Sequence, residues 1–447
     1  MALTAIEIYK LLPKTNCGEC GVPTCLAFAM KLANKQAELS ACPYVSEDAK
    51  TQLEESAAPP IRLVTVGIGD NAVEMGNETE LFRHEKTFYH PTAYSLIIED
   101  TLSPDELDAK IKEASDLEFE RVGQMLRLGM LAIKASSQDP AKFAEVVKSA
   151  SEKTSLPLIL ISDKPEVIEG GLKIASSKKP LIHGANKDNW QVMAELAKKY
   201  ECPIVAYEDR GLDELAELTQ NIKKAGCEDI MLDFGKKSLG ESMRLLTIIR
   251  RLSARKSFRP LGYPVILSLE GDPEKEALHV AILTMKYSAA LMLSDISKWR
   301  MFPLFTLRQN IYTDPQIPIQ VKPELYEINN PDENSPLLFT TNFSLTYFTV
   351  AGDIENSKIP SFLQVVDTEG LSVMTAFAAG KLTPEMVVEA LEKSGANEKV
   401  KHNKIIIPGM VARMSSKLNE KSGREILVGP RESSGIPKYL KGLSEDQ

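Results

Sequence analysis

Short apolar runs alternate with amphipathic stretches through the middle of this 447-residue chain. The runs are rich in valine, isoleucine and leucine, as the strands of a buried sheet are. They cover residues 61–67, 94–98, 130–134, 156–161, 180–183, 203–207, 229–234, 264–269 and 290–293. Between them, apolar residues recur at helical spacing, for example at 189–199, 212–225, 241–252 and 275–287. Eight or nine strand–helix units in about 260 residues predict a (β/α)8 TIM barrel with one extra or pre-barrel strand; a long open doubly wound sheet is the alternative.

The pattern changes again toward the end of the chain. Strands are predicted at 344–351, 362–367, 404–407 and 425–428, and helices begin at Leu371 and Pro384 or cover 411–419 and 436–442. This alternation predicts a small parallel sheet with helices on both faces, which is a Rossmann-like α/β domain. A polar, proline-bearing stretch at 322–336 is interpreted as the linker before it.

Four of the six cysteines lie within the first 42 residues. Cys17, Cys20 and Cys25 follow a C-x2-C-x4-C spacing, and Cys42 precedes a proline. Four thiolates are what a cuboidal [4Fe–4S] cluster needs, one for each iron, and a Cys-Pro step often closes such a set. A structural zinc site usually presents two close cysteine pairs, and disulfides usually accompany export. Zinc and disulfides are therefore weaker alternatives that stay open.

These patterns divide the chain into three parts. Residues 1–57 are expected to form a small Fe–S domain, residues 58–325 the TIM barrel, and residues 326–447 the α/β domain. In the first part, Cys25 opens an apolar-faced helix, where the helix dipole stabilises negative charge. A polar helix is predicted near 46–55, before a linker formed by two consecutive prolines.

Charge and hydropathy narrow the classes of partner. The formal net charge is −9 and there is no long basic run, which disfavours nucleic acid and anionic membranes. No apolar run approaches the roughly 20 residues that span a bilayer, and the first residues lack the basic and apolar regions of a signal peptide. Because the cysteines are expected to be reduced, we predict a cytoplasmic protein.

Glycines stand where strands of the last domain end and helices begin, around residues 370, 409 and 429. In an open α/β sheet, a ligand binds in the crevice beyond the carboxyl ends of the strands, and glycines there let the backbone approach it. Since βα turns use glycine routinely, this signal is weak by itself. The chain has no G-x-G-x-x-G string, which disfavours a nicotinamide or flavin dinucleotide.

At this point the chain resembles a known family. The strings NCGECGVPTC at 16–25 and EGLSVMTA at 369–376, with the order of cysteine module, barrel and α/β domain, resemble the large (gamma) subunit of the corrinoid iron–sulfur protein over essentially the whole length. The resemblance implies a methyl carrier of the anaerobic acetyl-CoA (Wood–Ljungdahl) pathway of carbon dioxide fixation. Its corrinoid cobalt would accept a methyl group from methyltetrahydrofolate through a separate methyltransferase and pass it to acetyl-CoA synthase. The [4Fe–4S] cluster would reductively reactivate Co(II) to Co(I).

The resemblance also implies site residues. Cys17, Cys20, Cys25 and Cys42 would ligate the cluster, and no catalytic residue is implied, so whether the carrier counts as an enzyme stays open. Thr340 and Thr346 would border the corrinoid. Its main bed would be formed by Gly370, Leu371, Ser372, Val373 and Met374. The geometry of strand ends adds Gly409, Met410, Gly429, Pro430, Arg431, Glu432 and Ser433 to the expected corrinoid site.

Many corrinoid proteins supply a lower cobalt ligand from an Asp-x-His-x-x-Gly string, which this sequence lacks. His402, the last histidine of the chain, is interpreted as an exposed surface residue. The resemblance therefore implies a base-off corrinoid without a protein histidine ligand. Without an imidazole, the Co(II)/Co(I) potential should rise toward the reach of a low-potential cluster.

The implied partners are a small subunit that completes a heterodimer, the methyltransferase, acetyl-CoA synthase/CO dehydrogenase and a reductive activator. The α/β domain is expected to swing on the 322–336 linker between these enzymes. Two other functions stay open. One is a pterin-dependent corrinoid methyltransferase that uses its own barrel, and the other is a ferredoxin-like electron donor.

The barrel carries polar residues near its strand ends, where barrel enzymes build their active sites. These are Asp100, Asn186, Glu208, Asp233, Glu270 and Asp295. Such a set could bind a pterin, but we favour helix capping and a partner-facing surface, because the family that the chain resembles uses a separate methyltransferase.

Overall fold

The computed structural model describes residues 5–34, 36–46, 49–50, 53, 58–269, 271, 273–314 and 318–445. Glu270 and most of the helix predicted near 46–55 lie outside the described residues. Two compact units are present: residues 1–119 with 127–312, and residues 120–126 with 313–447.

The cysteine module begins the first unit with α1 (Ala5–Leu11) and α2 (Cys25–Ala33). A small apolar core forms between them, with Ile8 and Leu12 on one side and Phe28 and Ala29 on the other. These side chains are at most 6% exposed, so the module has a core of its own.

An antiparallel hairpin follows, made of β1 (Val64–Val66) and β2 (Val73–Met75). Val64, Val66 and Met75 are buried in the same cluster as the inward-facing residues of the barrel strands. The first apolar run of the chain is therefore a pre-barrel strand, which is one of the two roles expected for the ninth run.

Eight parallel strands form the barrel. In chain order they are β3 (Ala93–Glu99), β6 (Met130–Lys134), β7 (Leu158–Ile161), β8 (Leu181–Ala185), β9 (Ile204–Tyr207), β10 (Ile230–Asp233), β11 (Ile266–Ser268) and β12 (Ala290–Leu293). A separate hairpin of β4 (Glu118–Arg121) and β5 (Gln124–Arg127) lies between β3 and β6 in the chain. The hydrogen-bonded order is β10-β9-β8-β7-β6-β3-β12-β11, so neighbours in the chain are neighbours in the sheet.

The two edges of this sheet meet. Leu232 of β10 forms a parallel bridge with Val265, directly before β11, and the Leu232 N–H donates to the Pro264 carbonyl at 2.9 Å. The sheet is thus a nearly closed barrel, which confirms the predicted barrel and excludes the open doubly wound alternative for this unit.

Each barrel strand is followed by a helix. These helices are α3 (Pro104–Ser115), α4 (Pro140–Lys153), α5 (Pro165–Ala175), α6 (Trp190–Lys199), α7 (Leu212–Lys224), α8 (Leu239–Lys256), α9 (Pro273–Met285) and α10 (Lys298–Tyr312). Local sequence starts several of them: Ser103 and Glu106 form a capping box before α3, and proline occupies the first turn of α3, α4 and α5. Among the described residues, no helix is both long and apolar enough to cross a membrane.

The second unit is built on a five-stranded sheet. Its strands are β13 (Leu325–Ile328), β14 (Leu337–Thr341), β15 (Ser361–Val366), β16 (Lys404–Ile407) and β17 (Glu425–Val428). The order is β13-β15-β14-β16-β17, in which β13 pairs antiparallel with β15 and the other pairs are parallel. Since β15 and β16 lie on opposite sides of β14, the chain reverses direction across the sheet at β14, and this makes a topological switch point.

Helices cover both faces of this sheet. They are α11 (Ser344–Ser357), α12 (Val373–Ala378), α13 (Pro384–Lys393), α14 (Ala396–Lys399), α15 (Ser415–Ser422) and α16 (Ile436–Glu445). Leu337 and Ile405 belong to one apolar core, and Leu338 and Ile406 belong to the other. Successive strand residues therefore point to opposite faces, as the pleat requires.

Two predictions for this unit were wrong. Residues 344–351, predicted as a strand from their β-branched and aromatic side chains, form the first half of α11. Their propensity is overridden by packing, because Ala351 and Ile354 are three apart on a buried helix face. The 322–336 stretch, predicted as a linker, contains β13, which is hydrogen-bonded into the sheet. A swing on that stretch would have to break the sheet edge.

Candidate cofactor sites

Cys25 occupies the first position of α2. Thr24 caps the helix, because its hydroxyl accepts the Ala27 N–H at 3.1 Å. The Cys25 N–H donates to Asn16 Oδ1 at 2.8 Å, which ties the loop before Cys17 to the start of the helix. The positive end of the helix dipole therefore faces the third cysteine, as expected for a site of net negative charge.

Three of the four cysteines belong to the small core of the module. Cys25 and Cys42 are buried in it, Cys20 packs against it partly buried, and Cys17 is exposed. Tyr44 joins the segment of Cys42 to the loop between Cys17 and Cys20, because its hydroxyl donates to Glu19 Oε1 at 2.8 Å. That hydrogen bond raises the pKa of Tyr44, with smaller contributions from the charges of Cys17 and Cys42. Cys17 and Cys42 therefore both lie near Tyr44.

The backbone around these thiols is open. Gly18 and Gly21 have φ values of +78° and +76°, and an added Cβ on either would have no atom within 4 Å. Within the described residues, no three His, Cys, Asp or Glu side chains converge closely enough for one ion, and all six cysteines are free thiols. A cuboidal cluster binds its thiolates at four separate irons, so its ligands lie farther apart than those of a single ion, and the open, glycine-lined loop leaves room for it.

Asn16 should control how firmly the module holds iron. Its φ of +50° is tolerated by asparagine and glycine, so Asn16→Gly removes the acceptor of the Cys25 N–H without new backbone strain. One hydrogen bond contributes about 0.5–1.5 kcal/mol, so we expect iron loss to a chelator to be about two- to twelvefold faster. Iron release followed by absorbance measures this. Asn16→Asp keeps the acceptor and is the control; equal rates for wild type and Asn16→Gly would contradict the role.

A cavity of about 350 Å³ opens in the second unit at the carboxyl ends of β14 and β16. It lies at the switch point of the sheet, where open α/β sheets bind ligands. Ten of the predicted corrinoid residues line it: Thr340, Thr346, Ser372, Val373, Met374, Met410, Gly429, Pro430, Arg431 and Ser433. The structure therefore brings together residues predicted from four separate segments.

Four predicted residues do not line the cavity: Gly370, Leu371, Gly409 and Glu432. Gly409 supports the wall instead. Its N–H donates to the Pro430 carbonyl at 2.9 Å, and a Cβ on Gly409 would lie 2.5 Å from the Gly429 carbonyl oxygen. Only glycine lets the loops after β16 and β17 approach this closely.

Sequence reasoning missed nine lining residues: Leu338, Phe339, Leu345, Thr349, Val350, Ile406, Ile407, Pro408 and Ile436. Those at the end of β16 could have been found from the predicted strand, as the glycines were, whereas Leu338 and Phe339 lie in β14, a strand that the sequence analysis missed. Leu345, Thr349 and Val350 were hidden by the strand prediction for 344–351, because a strand places Val350 on the face opposite to the other two, whereas α11 places all three on one face.

The cavity is apolar with a few hydroxyl groups. Thr340 is 1% exposed, and its Oγ1 is buried without a hydrogen-bond partner in the described residues. A buried hydroxyl without a partner is costly, so a ligand with a polar group would satisfy it. At the rim, Leu345, Met374 and Met410 expose 61%, 43% and 48% of their surface. The site fits the mainly apolar surface of a ligand that also carries some polar groups.

His402 was predicted to be exposed, and the structure corrects this. It is half-buried, its Nε2 donates to the Ser335 carbonyl at 2.8 Å, and its Nδ1 accepts the Lys404 N–H at 3.1 Å. Both ring nitrogens therefore have hydrogen-bond partners. His402 lies just before the start of β16, whereas the cavity lies at the other end of that strand.

The polar residues at the barrel mouth are each held by a different neighbour. Asp100 accepts the Ser137 N–H at 2.8 Å, Glu208 pairs with Arg210, Asp233 pairs with His183 at 2.9 Å, and Asp295 pairs with Arg300. Asn186 accepts the Asp188 N–H at 2.9 Å. The described members of the set thus form local hydrogen bonds and ion pairs. None of them is an N-cap of α3 to α8, and a partner-facing surface stays a prediction.

Two family models match the chain. One, described as the CO dehydrogenase/acetyl-CoA synthase delta subunit, matches residues 63–440, and the other, described as a putative Fe-S cluster, matches residues 12–44. The second match includes all four cysteines of the module.

Curated relatives match over the full length. The corrinoid/iron-sulfur protein large subunit of Moorella thermoacetica is 47% identical over 99% of both chains. The acetyl-CoA decarbonylase/synthase complex subunit gamma of Methanothermobacter thermautotrophicus is 37% identical over 100% of both. Among solved structures, the dihydropteroate synthase of Thermus thermophilus in complex with 6HMPPP has a TM-score of 0.39 at 18% identity, covering 56% of this chain and 99% of that one.

Proposed function

The chain belongs to the family of the corrinoid/iron-sulfur protein large subunit and the acetyl-CoA decarbonylase/synthase gamma subunit, and from this premise we propose that it is a methyl-group carrier. It would take the methyl group from methyltetrahydrofolate through a separate methyltransferase and pass it to acetyl-CoA synthase. A bound corrinoid supplies the cobalt that carries the methyl group, and a [4Fe–4S] cluster supplies single electrons that restore cobalt after accidental oxidation.

The observation that carries this proposal is the cavity at the switch point. Ten residues chosen from the sequence line it, and its size of about 350 Å³ suits a small-molecule site. The apolar side chains of β14, β16 and α11 would exclude water from the inner part of the cofactor. Thr340 Oγ1, which lacks a partner among the described residues, would hydrogen-bond one of its polar groups.

The position of His402 supports a base-off corrinoid. Among the described residues that line the cavity, none is a histidine. His402 would have to give up two hydrogen bonds and cross the length of β16 to reach the site. The lower face of the metal would then be left without a protein ligand, which favours its reduction.

The cysteine module would hold the cluster through Cys17, Cys20, Cys25 and Cys42. Its own core keeps Cys25 and Cys42 buried, while Cys17 is exposed and gives electrons a short path from outside. The module therefore combines a shielded and an accessible side, as an electron relay needs.

The names of the relatives, which are subunits, support an assembly rather than a free chain. We propose a heterodimer with a small subunit, contacts with the methyltransferase, with acetyl-CoA synthase/CO dehydrogenase and with a reductive activator, and a cytoplasmic location. The division into domains at 1–57, 58–325 and 326–447 remains part of this proposal.

Metal analysis and a visible spectrum of anaerobically isolated protein, kept with its small subunit, test the proposal. We expect corrinoid bands, cobalt, and about four irons per chain. Cluster absorption without cobalt would instead indicate an electron donor. Micromolar binding of methyltetrahydrofolate to this chain alone, measured by calorimetry, would indicate a methyltransferase that uses its own barrel.

A further inference from the structure

Asn342, the residue after β14, connects the switch point to the loop that follows β15. It is 1% exposed. Its Oδ1 accepts the N–H groups of Thr368 and Gly370, both at 3.0 Å. Its Nδ2 donates to Gln320 Oε1 at 3.1 Å and to Asp367 Oδ1 at 2.9 Å. An amide has two acceptor lone pairs and two donor hydrogens, so every hydrogen-bonding position of Asn342 is used.

The loop that Asn342 holds has an uncommon backbone shape. Glu369 and Gly370 have φ values of +57° and +76°, and a left-handed conformation is uncommon for a glutamate. Such a turn persists only where its surroundings hold it. A Cβ on Gly370 would lie 2.8 Å from Gln320 Cγ, so the loop is also packed tightly against a second hydrogen-bond partner of Asn342.

The loop leads directly into the cavity wall. Ser372, Val373 and Met374 follow it and line the cavity, and the Thr368 hydroxyl donates to the Leu371 carbonyl at 2.9 Å just before them. A shift of the turn would therefore move three lining residues together. Asn342 itself is not a lining residue, and its hydrogen bonds reach the cavity wall through the loop.

We propose that Asn342 is a positioning residue for the corrinoid, an inference that rests on the proposed function. It holds the 368–371 turn in its binding shape before the cofactor arrives, so that binding does not have to order the loop. A preformed site loses less conformational freedom on binding and releases its ligand more slowly. The occupancy of the corrinoid should then depend on a side chain that does not line its cavity.

Cofactor release from the assembled heterodimer tests this. Asn342→Ala should release corrinoid about tenfold faster than wild type, which corresponds to about 1.4 kcal/mol. The release is followed by visible absorbance after dilution and filtration. Gln364→Ala is the matched control, because Gln364 is also a fully buried amide of the same unit, bonded to Ser394, but does not line the cavity or touch the loop. Equal release from the two variants would overturn the proposal.

A charge exchange keeps the test decisive if Asn342→Ala folds poorly. Asn342→Asp keeps an acceptor for the loop amides but sets a carboxylate against Asp367. Adding Asp367→Asn restores the hydrogen bond in the opposite direction, because the amide at position 367 can donate to the carboxylate at position 342. We expect fast release from the single variant and slow release from the double variant, whereas equal release from both would contradict the role.

Hydrogen exchange separates this inference from the proposed function. In protein from which the cofactor has been removed, the peptide that spans 368–371 should exchange faster in Asn342→Ala than in wild type, and Gln364→Ala should leave it unchanged. Unchanged protection in Asn342→Ala would overturn the inference even if corrinoid binds. If wild-type protein contains no cobalt, the proposed function fails, and the exchange rates still decide whether Asn342 shapes the loop.

Discussion

Cys20→Ala should abolish reductive reactivation while leaving the corrinoid site intact. The proposed cluster needs four thiolates, and Cys20 belongs to the cysteine module, whereas the cavity proposed for the corrinoid lies in the other unit. We expect the variant to lose cluster absorption and most of its iron but to keep cobalt. It should accept a methyl group when it is chemically reduced beforehand and fail to recover after oxidation. Iron and cobalt analysis, followed by methyl-transfer assays with and without prior reduction, measure this.

A buried cysteine outside the module provides the control. Burial raises the pKa of Cys202 to about 12, so this thiol stays protonated at neutral pH, and Cys202 does not belong to the core of the module. Cys202→Ala should keep iron and reactivation. If folded, corrinoid-loaded Cys20→Ala loses methyl transfer even after chemical reduction, the division of labour between the two sites is wrong.

Arg250→Met should be the most destabilising of the substitutions considered for the barrel. Arg250 lies on α8, is 3% exposed, and its guanidinium is 3.4 Å from Glu78, in the segment after β2. It also stacks over the rings of Phe88 and Tyr287 at 4.9 and 4.7 Å. Removing one partner of a buried ion pair leaves the other charge uncompensated, which costs about 3–5 kcal/mol. Chemical denaturation at neutral pH measures the loss.

The loss should depend on pH. Burial raises the pKa of Glu78, and the charge of Arg250 opposes that rise. Without the guanidinium, the pKa of Glu78 rises further. A carboxyl group whose pKa is raised in the folded state lowers the free energy of unfolding as pH rises above its unfolded pKa of about 4.3. The loss of stability in Arg250→Met should therefore be small at acid pH and grow toward neutrality.

Glu78→Gln added to Arg250→Met is the control for this pair. The double variant buries no unpaired charge, so most of the stability should return and the pH dependence should disappear. If the single and double variants are equally unstable, packing of the Arg250 side chain on its aromatic neighbours, rather than its charge, explains the loss.

The sequence predicted most of the barrel, because its information is local. The runs at 130–134 and 290–293 match β6 and β12 residue for residue. Buried parallel strands are short apolar runs, and each is separated from the next by an amphipathic helix. Both the runs and the helical spacing between them can be recognised along the chain. The hairpin of β4 and β5 escaped this reasoning, since its exposed residues alternate with little apolar contrast.

The second unit was predicted less well, because long-range packing decides its elements. The strands at 404–407 and 425–428 were correct, but the segment of Tyr347 and Phe348 became a helix. Its aromatic and β-branched residues favour a strand by themselves. Its contacts with the sheet and with α16 stabilise a helix instead, because they bury apolar residues that recur at helical spacing.

The cysteine spacing, the barrel and the glycine positions were determined by the sequence alone, since each depends on residue types a few positions apart. Only the tertiary structure decided where the cavity lies, that α11 lines it, and that Asn342 organises its loop. The side-chain contacts of Asn342 reach residues 22 and 25–28 positions away. No local pattern encodes which of several polar residues after a strand will be buried with all its hydrogen bonds satisfied, because that depends on how the strands order themselves in the sheet.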